Sequence, residues 1–402
     1  MSESAFLEKL LDGAEVEWVP LAEGENRITE LKRGRVMSKG YLVENSGDYP
    51  VYSSQTARNG QIGKIKTFDF DGESITWTTD GANAGTVFHR TGKFSITNVC
   101  GIIRICDVDR LNYRYLFHYL SFNTQKHVYA GMGNPKLMSN QMAKIPIPIP
   151  CPENPEKSLA IQAEIVRILD TFTELTAELT AELTARKKQY NYYRDQLLTF
   201  VEGEVETFPL HEIAHFRNGK GHEKIIDENG SYIVVNSKFI STRGGVRKYS
   251  SEQLCPLFNN DVLMVMSDLP NGKALAKCFL VNQDDRYTLN QRIGAFSVKQ
   301  DDIISTKFLF YILDRNRQLL RFDNGADQTN LRKGDILSIK IPVPSEDEQA
   351  RIVAILDKFD TLTHSISEGL PREIELRQQQ YEYYRDLLLN FPKPEPQTEI
   401  VA

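Results

Sequence analysis

The stretch that decides the fold is Leu175-Thr-Ala-Glu-Leu-Thr-Ala-Glu-Leu-Thr-Ala-Arg186, a four-residue unit written almost three times. Ala, Leu and Glu favour helix, and a leucine at every fourth position keeps one apolar stripe along the helix. Each unit adds about 6 Å of helix at the usual rise per residue. The tract therefore predicts a helical spacer between two larger bodies, with a length that changes in steps of four residues.

The helix that contains this tract has a second copy later in the chain. Tyr190-Asn-Tyr-Tyr-Arg-Asp-Gln-Leu-Leu-Thr-Phe200 returns as Tyr381-Glu-Tyr-Tyr-Arg-Asp-Leu-Leu-Leu-Asn-Phe391. Upstream, Gln162-Ala-Glu-Ile-Val-Arg-Ile-Leu-Asp-Thr-Phe172 returns as Gln349-Ala-Arg-Ile-Val-Ala-Ile-Leu-Asp-Lys-Phe359. The spacing between the two motifs is one tetrad longer in the second copy. A repeat of this kind predicts two structurally equivalent halves.

The repeat extends beyond the helices. Ile147-Pro-Ile-Pro150 and Ile341-Pro-Val-Pro344 each precede a helix copy, and alternating proline excludes both a helix and a central strand. Two further matched pairs are Tyr115–Leu120 with Phe308–Leu313, and Asn134–Leu137 with Gln328–Leu331. The predicted order is therefore body, helix, body, helix.

Each body is predicted to be mixed α/β, because short β-branched and aromatic runs alternate with turn signals. The predicted strands are 49–52, 75–78, 102–105, 232–235 and 262–265, and a helix is predicted late in each body, near 113–123 and 307–320. Two helices of some 40 residues with an apolar stripe predict an antiparallel coiled coil with internal pseudo-two-fold symmetry. Gly369-Leu-Pro371 predicts a kink or a break in the second helix. The fold class is α+β.

The composition is that of an ordinary globular protein, with a formal net charge of −6 that argues against one large basic surface. No apolar window is long enough to span a membrane, and residues 1–11 lack a secretory signal. The five cysteines are scattered and form no CxxC pair. These features predict a cytoplasmic protein with reduced thiols.

One enzyme motif is present. His211-Glu-Ile-Ala-His215 matches the H-E-x-x-H pattern, in which two histidines on one helical face bind zinc and the glutamate acts as general base. Against zinc chemistry, the segment soon reaches Asn218-Gly219, which allows a helix of only about two turns. The equivalent start of the first body has no histidine pair. The structural alternative is a short opening helix that packs Ile213 inward.

Polar loop side chains in both bodies are candidates for reading DNA bases, since Arg suits guanine and Asn or Gln suits adenine. The candidates of the first body are Ser54, Gln55, Arg58, Asn59, Lys64, Thr79, Asn83 and Lys136. Those of the second body are Lys220, Lys238, Arg243, Asn271, Lys273, Arg292, Gln328 and Asn330. Any single one of these side chains also fits an ordinary solvated loop position.

Together these features resemble one family. Two dissimilar bodies alternate with two near-identical helices carrying Q-Y-x-Y-Y-R-D-x-L-L, and each helix is entered through I-P-x-P. This arrangement is similar to the specificity (S) subunit of type I restriction-modification systems, and the TAEL tetrads resemble the IC-like subgroup. The resemblance covers essentially the whole chain.

The resemblance implies a non-catalytic subunit with two target-recognition domains, each reading one half of a bipartite, asymmetric site on double-stranded DNA. It implies target-recognition domains at 1–150 and 203–344, helical spacers at 151–202 and 345–391, and a tail at 392–402. The spacers would dock two methyltransferase (M) subunits, and two restriction (R) subunits would complete the complex.

No cofactor is expected on this chain. S-adenosylmethionine would bind the methyltransferase subunits, and ATP with Mg²⁺ would bind the restriction subunits. The side chains expected to set the spacer or dock partners are Leu175, Leu179, Leu183, Tyr190, Tyr193, Arg194, Tyr381, Tyr384 and Arg385. The tyrosine-rich segments 190–193 and 381–384 fit partner docking and the core of the helix pair equally well. A zinc hydrolase and a bivalent scaffold that binds only proteins remain as alternatives.

Overall fold

The structure, a computed structural model, describes residues 5–24, 27–131, 133–270, 273–365 and 367–392. The chain divides into two compact units, 1–180 with 373–402 and 181–372. The division between Thr180 and Ala181 falls inside the tetrad tract. Across the described ranges, no helix combines the length and apolar character needed to cross a membrane.

The first unit contains the elements that precede the tetrads. Its helices are α1 (Ala5–Leu11), α2 (Lys39–Glu44), α3 (Tyr113–Asn123), α4 (Ser139–Met142) and the first part of α5 (Pro155–Leu197). Its strands are β1 (Val16–Pro20), β2 (Thr29–Arg33), β3 (Ser46–Tyr52), β4 (Gln61–Ile65), β5 (Ser74–Thr78), β6 (Val87–Arg90), β7 (Ser95–Ile96), β8 (Cys100–Ile105) and β9 (Pro146–Pro150). Single 3₁₀ turns cover Ala57–Gly60 and Thr124–His127.

Three sheets build this unit. A four-stranded sheet has the order β2-β8-β5-β6, a three-stranded sheet has the order β4-β3-β7, and β1 pairs with β9. The proline-rich β9 is confined to that two-stranded ribbon, as expected for a strand in which every proline lacks an amide donor. Trp77 is fully buried beneath α3, and a Cβ on Gly101 would meet the Trp77 ring at 2.0 Å. Glycine at position 101 therefore lets β8 lie against the indole ring.

The second unit repeats this plan. Its strands are β10 (Glu206–Pro209), β11 (Ala214–Asn218), β12 (Tyr232–Val235), β13 (Tyr249–Ser250), β14 (Val262–Val265), β15 (Ser267–Asp268), β16 (Cys278–Leu280), β17 (Tyr287–Leu289), β18 (Ile293–Val298), β19 (Thr329–Asn330) and β20 (Lys340–Val343). Its helices are α6 (Leu210–Ile213), α7 (Ser237–Ser241), α8 (Thr306–Leu313), α9 (Arg317–Leu320), α10 (Lys333–Leu337) and α11 (Glu346–His364), and α12 (Gly369–Leu389) returns to the first unit.

The sheets of the two units correspond, except that the short pair β15–β19 is matched in the first unit by an isolated bridge between Asp80 and Lys136. The order β11-β18-β14-β16 matches β2-β8-β5-β6, and β13-β12-β17 matches β4-β3-β7. The central pairs β3–β7 and β12–β17 are both parallel. A ribbon of β10 and β20 matches that of β1 and β9. The sequence repeat is therefore a repeat of the whole fold of each body.

Within each unit the repeated helices pack on the body and on each other. In the first unit Phe172 of α5 stacks on Tyr384 of α12, with ring centroids 5.1 Å apart. In the second unit Tyr193 stacks on Phe359 at 5.8 Å, and Tyr190 contacts both Phe359 and His364. In the second unit the earlier residue Tyr190 reaches the later residue His364, while Tyr193 stacks on the earlier Phe359, which is the order expected of antiparallel helices. The break predicted near Gly369 is present, since α11 ends at His364 and α12 begins at Gly369.

Candidate nucleic-acid interface

A polar edge forms in the first unit where loops from four parts of the body meet. The Thr79 amide donates to Val99 O at 3.0 Å, and the Leu137 amide donates to Thr79 O at 2.9 Å. The Asn83 side-chain amide donates to Ser54 O at 3.2 Å. We call Arg33, Ser54, Asp80, Asn83, Asn98 and Lys136 the first edge. Arg33 connects two of these loops, because its guanidinium donates to Asn98 O and lies 3.8 Å from the Asp80 carboxylate.

The second unit builds an equivalent edge with different side chains. The Met266 amide donates to Arg292 O at 3.0 Å, and the Leu331 amide donates to Met266 O at 2.8 Å. These two bonds repeat those made by Thr79 and Leu137 in the first unit. We call Lys220, Ser267, Gln291, Arg292, Gln328 and Asn330 the second edge. The Gln328 side chain donates to Ser267 Oγ at 2.9 Å and to Asn330 Oδ1 at 3.3 Å.

Equivalent glycines shape both edges. A Cβ on Gly34 would meet Ile96 O at 2.1 Å, and a Cβ on Gly219 would meet Asn290 O at 2.0 Å. Only glycine allows the end of β2 or β11 to come this close to the neighbouring chain. In each unit, the scaffold of the edge is thus repeated while its polar side chains differ.

The chemistry of the edges suits hydrogen bonding to bases. Lys136 and Asn98 are exposed on the first edge, and Gln328, Asn330 and Arg292 are exposed on the second. Amide and guanidinium groups discriminate base edges in the major groove. Two edges with the same backbone and different donor–acceptor sets are suited to reading two different sequences.

The loop between β3 and β4 holds two more candidates near the first edge. Arg58 and Asn59 both adopt left-handed backbone conformations, with φ of 51° and 54°. Arg90 holds this loop, because its Nη2 donates to Asn59 O at 2.6 Å while its guanidinium lies 3.6 Å from the Tyr52 ring centre. Burial lowers the pKa of Arg90. The Arg58 side chain is exposed on this strained loop.

The remaining candidates are placed elsewhere. Thr79 is fully buried and its hydroxyl donates to Asp80, so this side chain supports the edge from within. Arg243 pairs with Asp360 of α11 at 3.0 Å. The others lie off the edges or at their margin: Gln55 donates to Gln61 O, Lys64 is in β4, Lys238 is in α7, Lys273 lines a cavity, and Asn271 lies outside the described residues.

The candidate lists leave out five edge residues, namely Arg33, Asp80, Asn98, Ser267 and Gln291. Arg33 sits at the end of a strand, where its side chain reaches two other loops. Asn98 and Gln291 occupy equivalent places beyond β7 and β17. A signal for the second pair existed, because Thr97-Asn98 and Asn290-Gln291 are polar pairs that directly follow apolar strands.

The H-E-x-x-H segment begins in the expected short opening helix, which packs Ile213 inward, and its second histidine lies outside that helix. Helix α6 ends at Ile213, and Ala214 begins β11, where His215 pairs with Ser297 of β18. A strand forms here in place of a longer helix, because Ile213 and Ala214 are buried in the core while the next side chain, His215, points to solvent. The two histidines therefore do not share a helical face. Within the described residues, no group of three or more His, Cys, Asp or Glu side chains is arranged to hold a metal ion.

The repeated helix motif has a structural role in attaching each body. The Gln162 side chain accepts from the Asn112 amide and donates to Arg110 O, at 2.9 and 2.8 Å. Gln349 makes the same pair of bonds with the Ser305 amide and Ile303 O, both at 2.9 Å. The invariant pattern of these bonds shows why glutamine recurs at this position of the repeat.

An aspartate provides the second attachment. Asp170 receives hydrogen bonds from Arg114 and from the buried His118, and Asp357 receives them from Lys307 and Tyr311. Burial raises the pKa of the Asp170 carboxyl, but the bonds from His118 and Arg114 outweigh burial and bring the pKa to about 2. Each body is thus attached to its helix by one glutamine and by one aspartate that accepts hydrogen bonds from two side chains.

The tyrosine-rich helix ends divide into packed and exposed residues. Tyr190 is buried and Tyr384 stacks on Phe172, whereas Tyr192 and Tyr383 are 58% and 51% exposed. Arg194 lies 3.0 Å from Asp195, and Arg385 lies 2.6 Å from Asp386 and against the Phe122 ring. Leu175, Leu179 and Leu183 are half-buried. The exposed Tyr192 and Tyr383 occupy equivalent positions of the repeat.

Comparison with known proteins gives consistent matches over the whole chain. The family model described as the type I restriction modification DNA specificity domain matches residues 26–186 and again 202–376. The Escherichia coli type I restriction enzyme EcoR124I/EcoR124II specificity subunit is 42% identical over an alignment of 423 positions. The alignment covers 98% of this chain and 99% of that protein. The Escherichia coli EcoprrI specificity subunit is 36% identical, with 92% of this chain and 93% of that protein covered.

Two solved structures share the fold. The type I restriction-modification S subunit from M. genitalium aligns with a TM-score of 0.56 at 16% identity, covering 95% of this chain and 98% of that chain. A chain from a study of complex assembly and conformational transition in the type I R-M system aligns with a TM-score of 0.59 at 13% identity, covering 93% and 97%. At these identities the likeness concerns the fold.

Proposed function

We propose a function from the premise that this chain belongs to the type I restriction-modification DNA specificity family. It is a non-catalytic specificity subunit. Each body, 1–150 and 203–344, reads one half of a bipartite site on double-stranded DNA through the edge described above. The observation that carries this proposal is the pair of equivalent edges, whose backbone hydrogen bonds repeat while their side chains differ.

The helical segments 151–202 and 345–391 serve the two remaining tasks in this proposal. The length of α5 sets the spacer between half-sites, and the repeated helix ends bind two methyltransferase subunits. The exposed Tyr192 and Tyr383 support docking, because large exposed aromatics at equivalent positions suit a partner that binds twice. Leu175, Leu179 and Leu183 support the spacer role, because one half-buried leucine per tetrad lets each added tetrad continue the same apolar stripe.

In the assembled system, two restriction subunits join the methyltransferase subunits, and the complex acts in the cytoplasm. S-adenosylmethionine belongs to the methyltransferase subunits, and ATP with Mg²⁺ belongs to the restriction subunits. This chain supplies the DNA sequence preference. Zinc hydrolysis through His211, Glu212 and His215 has no support, because a strand replaces the helix that such a site needs.

A body exchange tests the proposal. Residues 1–145 are replaced by the corresponding body of a family member with a different target, and the chimera is assembled with methyltransferase subunits. Sequencing of the methylated DNA should show one half-site changed and the other half-site and spacer retained. A change in both half-sites would refute modular reading. Absence of any sequence-specific DNA protection by the wild-type complex would favour the protein-only scaffold.

A further inference from the structure

A large cavity in the second unit is lined by more cationic than anionic side chains. Its volume is about 760 Å³, within the range of sites that hold ligands. Among the described residues, seven Lys or Arg side chains and two carboxylates line it. It lies where the last turns of α5 meet α7 and the segment that follows α8.

Carboxylates neutralise only part of this charge. Asp195 pairs with Arg317 at 2.7 Å and with Arg194 at 3.0 Å. Asp314 lies 3.7 Å from Arg194, and Arg243 pairs with Asp360. In the described part of the chain, the three lysines of the cavity, Lys187, Lys273 and Lys277, have no carboxylate within ion-pair distance. The cavity thus keeps a surplus of positive charge.

The surplus is concentrated around Lys277. Burial lowers the pKa of Lys277, and the neighbouring Arg243 and Arg315 lower it further, against the attraction of Asp314. Burial also raises the pKa of Asp314. Clustering cations in a partly dehydrated cavity is unfavourable unless an anion occupies the site.

The first unit repeats only part of this charge: Arg385 stands at the position of Arg194, but other cations of the cavity are replaced. The repeat places Gln378 at the position of Lys187, Thr86 at that of Lys277, and Phe122 at that of Arg315. A partner that binds both units in the same way would need cations in both. The cavity therefore serves a ligand that this chain binds once.

We propose that this cavity is a phosphate-binding site, with Lys273 and Lys277 as its principal contacts. Lysine is a good partner for phosphate as a mobile point charge. The phosphate comes either from the DNA backbone beside the second half-site or from a free polyphosphate. Lys273 favours DNA, because only five residues separate it from Ser267 of the second edge. Binding of a DNA phosphate in this cavity rests on the proposed function, whereas binding of a free polyphosphate does not.

The test uses the full chain assembled with methyltransferase subunits. The variant Lys273→Gln/Lys277→Gln is compared with Lys248→Gln/Lys358→Gln, which removes the same charge from exposed positions of the same unit outside the cavity. Affinity for a duplex with both half-sites is measured across salt concentrations. Loss of one phosphate contact should reduce the slope of log K against log[salt] by about 0.9, with half-site preference unchanged. The control should keep the wild-type slope.

A second arm titrates inorganic tripolyphosphate into the complex without DNA, by calorimetry. A reduced salt slope without tripolyphosphate binding assigns the site to the DNA backbone. Tripolyphosphate binding that the cavity variant loses, with an unchanged slope, assigns it to a free polyphosphate. If the cavity variant matches the control in both arms, the proposal is wrong. Failure of the wild-type complex to bind its DNA would overturn the proposed function alone, since the tripolyphosphate arm still tests the cavity.

Discussion

Lengthening the tetrad tract should lengthen the DNA spacer. The perturbation inserts Thr-Ala-Glu-Leu after Leu183, which adds one unit and rotates the two flanking segments by only about 40° relative to each other. The tract suits such an insertion, because each tetrad carries its own bonds: the Thr176 and Thr180 hydroxyls donate to Phe172 O and Thr176 O, one turn earlier. The unit boundary also falls inside the tract.

The expected magnitude follows from helix geometry. Four residues add about 6 Å and about 40° beyond one full turn. At about 3.4 Å per base pair, the spacer should grow by roughly one to two base pairs. The chain returns to the first unit through α11 and α12, and the connection between these helices spans 365–368. A second variant therefore adds Gly-Ser-Gly-Ser after Ser367, so that strain in this connection cannot hide the effect.

The assay is sequencing of DNA methylated by each variant complex. Both half-site sequences should be unchanged, and only their separation should increase. A two-residue insertion, which rotates one end of α5 by about 200°, is the control and should abolish specific methylation. Retention of the original spacer by the tetrad variants, or altered half-sites, would refute the role of α5 as a ruler.

Three further predictions concern single side chains. Lys136→Ala should weaken discrimination in one half-site and Gln328→Ala in the other, each by about 1–3 kcal/mol, so that each variant controls for the other in methylation mapping. Tyr192→Ala with Tyr383→Ala should weaken methyltransferase-subunit binding at least about tenfold with unchanged Tm, whereas Tyr129→Ala, an equally exposed tyrosine outside the helices, should not. Asp170→Asn should destabilise the first unit by about 1–2 kcal/mol at neutral pH.

The Asp170 prediction includes a pH dependence. The folded-state pKa of about 2 lies below the value in the unfolded chain, so the carboxylate stabilises the fold fully above about pH 5. That contribution is lost as the pH falls toward 2. Urea unfolding between pH 2 and 7 should show this loss in the wild type and a flatter profile in Asp170→Asn. Parallel profiles for both proteins would contradict the assigned role of Asp170.

The sequence predicts the repeated architecture well, for physical reasons. Strands such as Tyr232–Val235 and Val262–Val265, and helix Tyr113–Asn123, lie where apolar periodicity and turn residues placed them. Local patterns suffice for these elements because their burial follows directly from residue type. The matched segments Asn134–Leu137 and Gln328–Leu331 likewise occupy equivalent positions on the two edges.

The composition of the edges was less predictable, because it depends on pairing between distant segments. Thr79 and Lys136 are both polar loop residues, yet the backbone bonds around Leu137 bury one and leave the other exposed. The zinc alternative needs His215 on a helix by local spacing, but pairing with Ser297 of β18 places His215 in a strand. Arg243 fits a base-reading loop by sequence, but Asp360 engages its guanidinium.

The central claim is that one chain holds two independent readers of a split DNA site. The most direct measurement maps methylated bases in genomic DNA modified by the wild-type chain with its methyltransferase subunits. The account predicts a single motif made of two different specific half-sites separated by a fixed number of unspecified base pairs. One continuous motif, two identical half-sites, or methylation without sequence preference would contradict it.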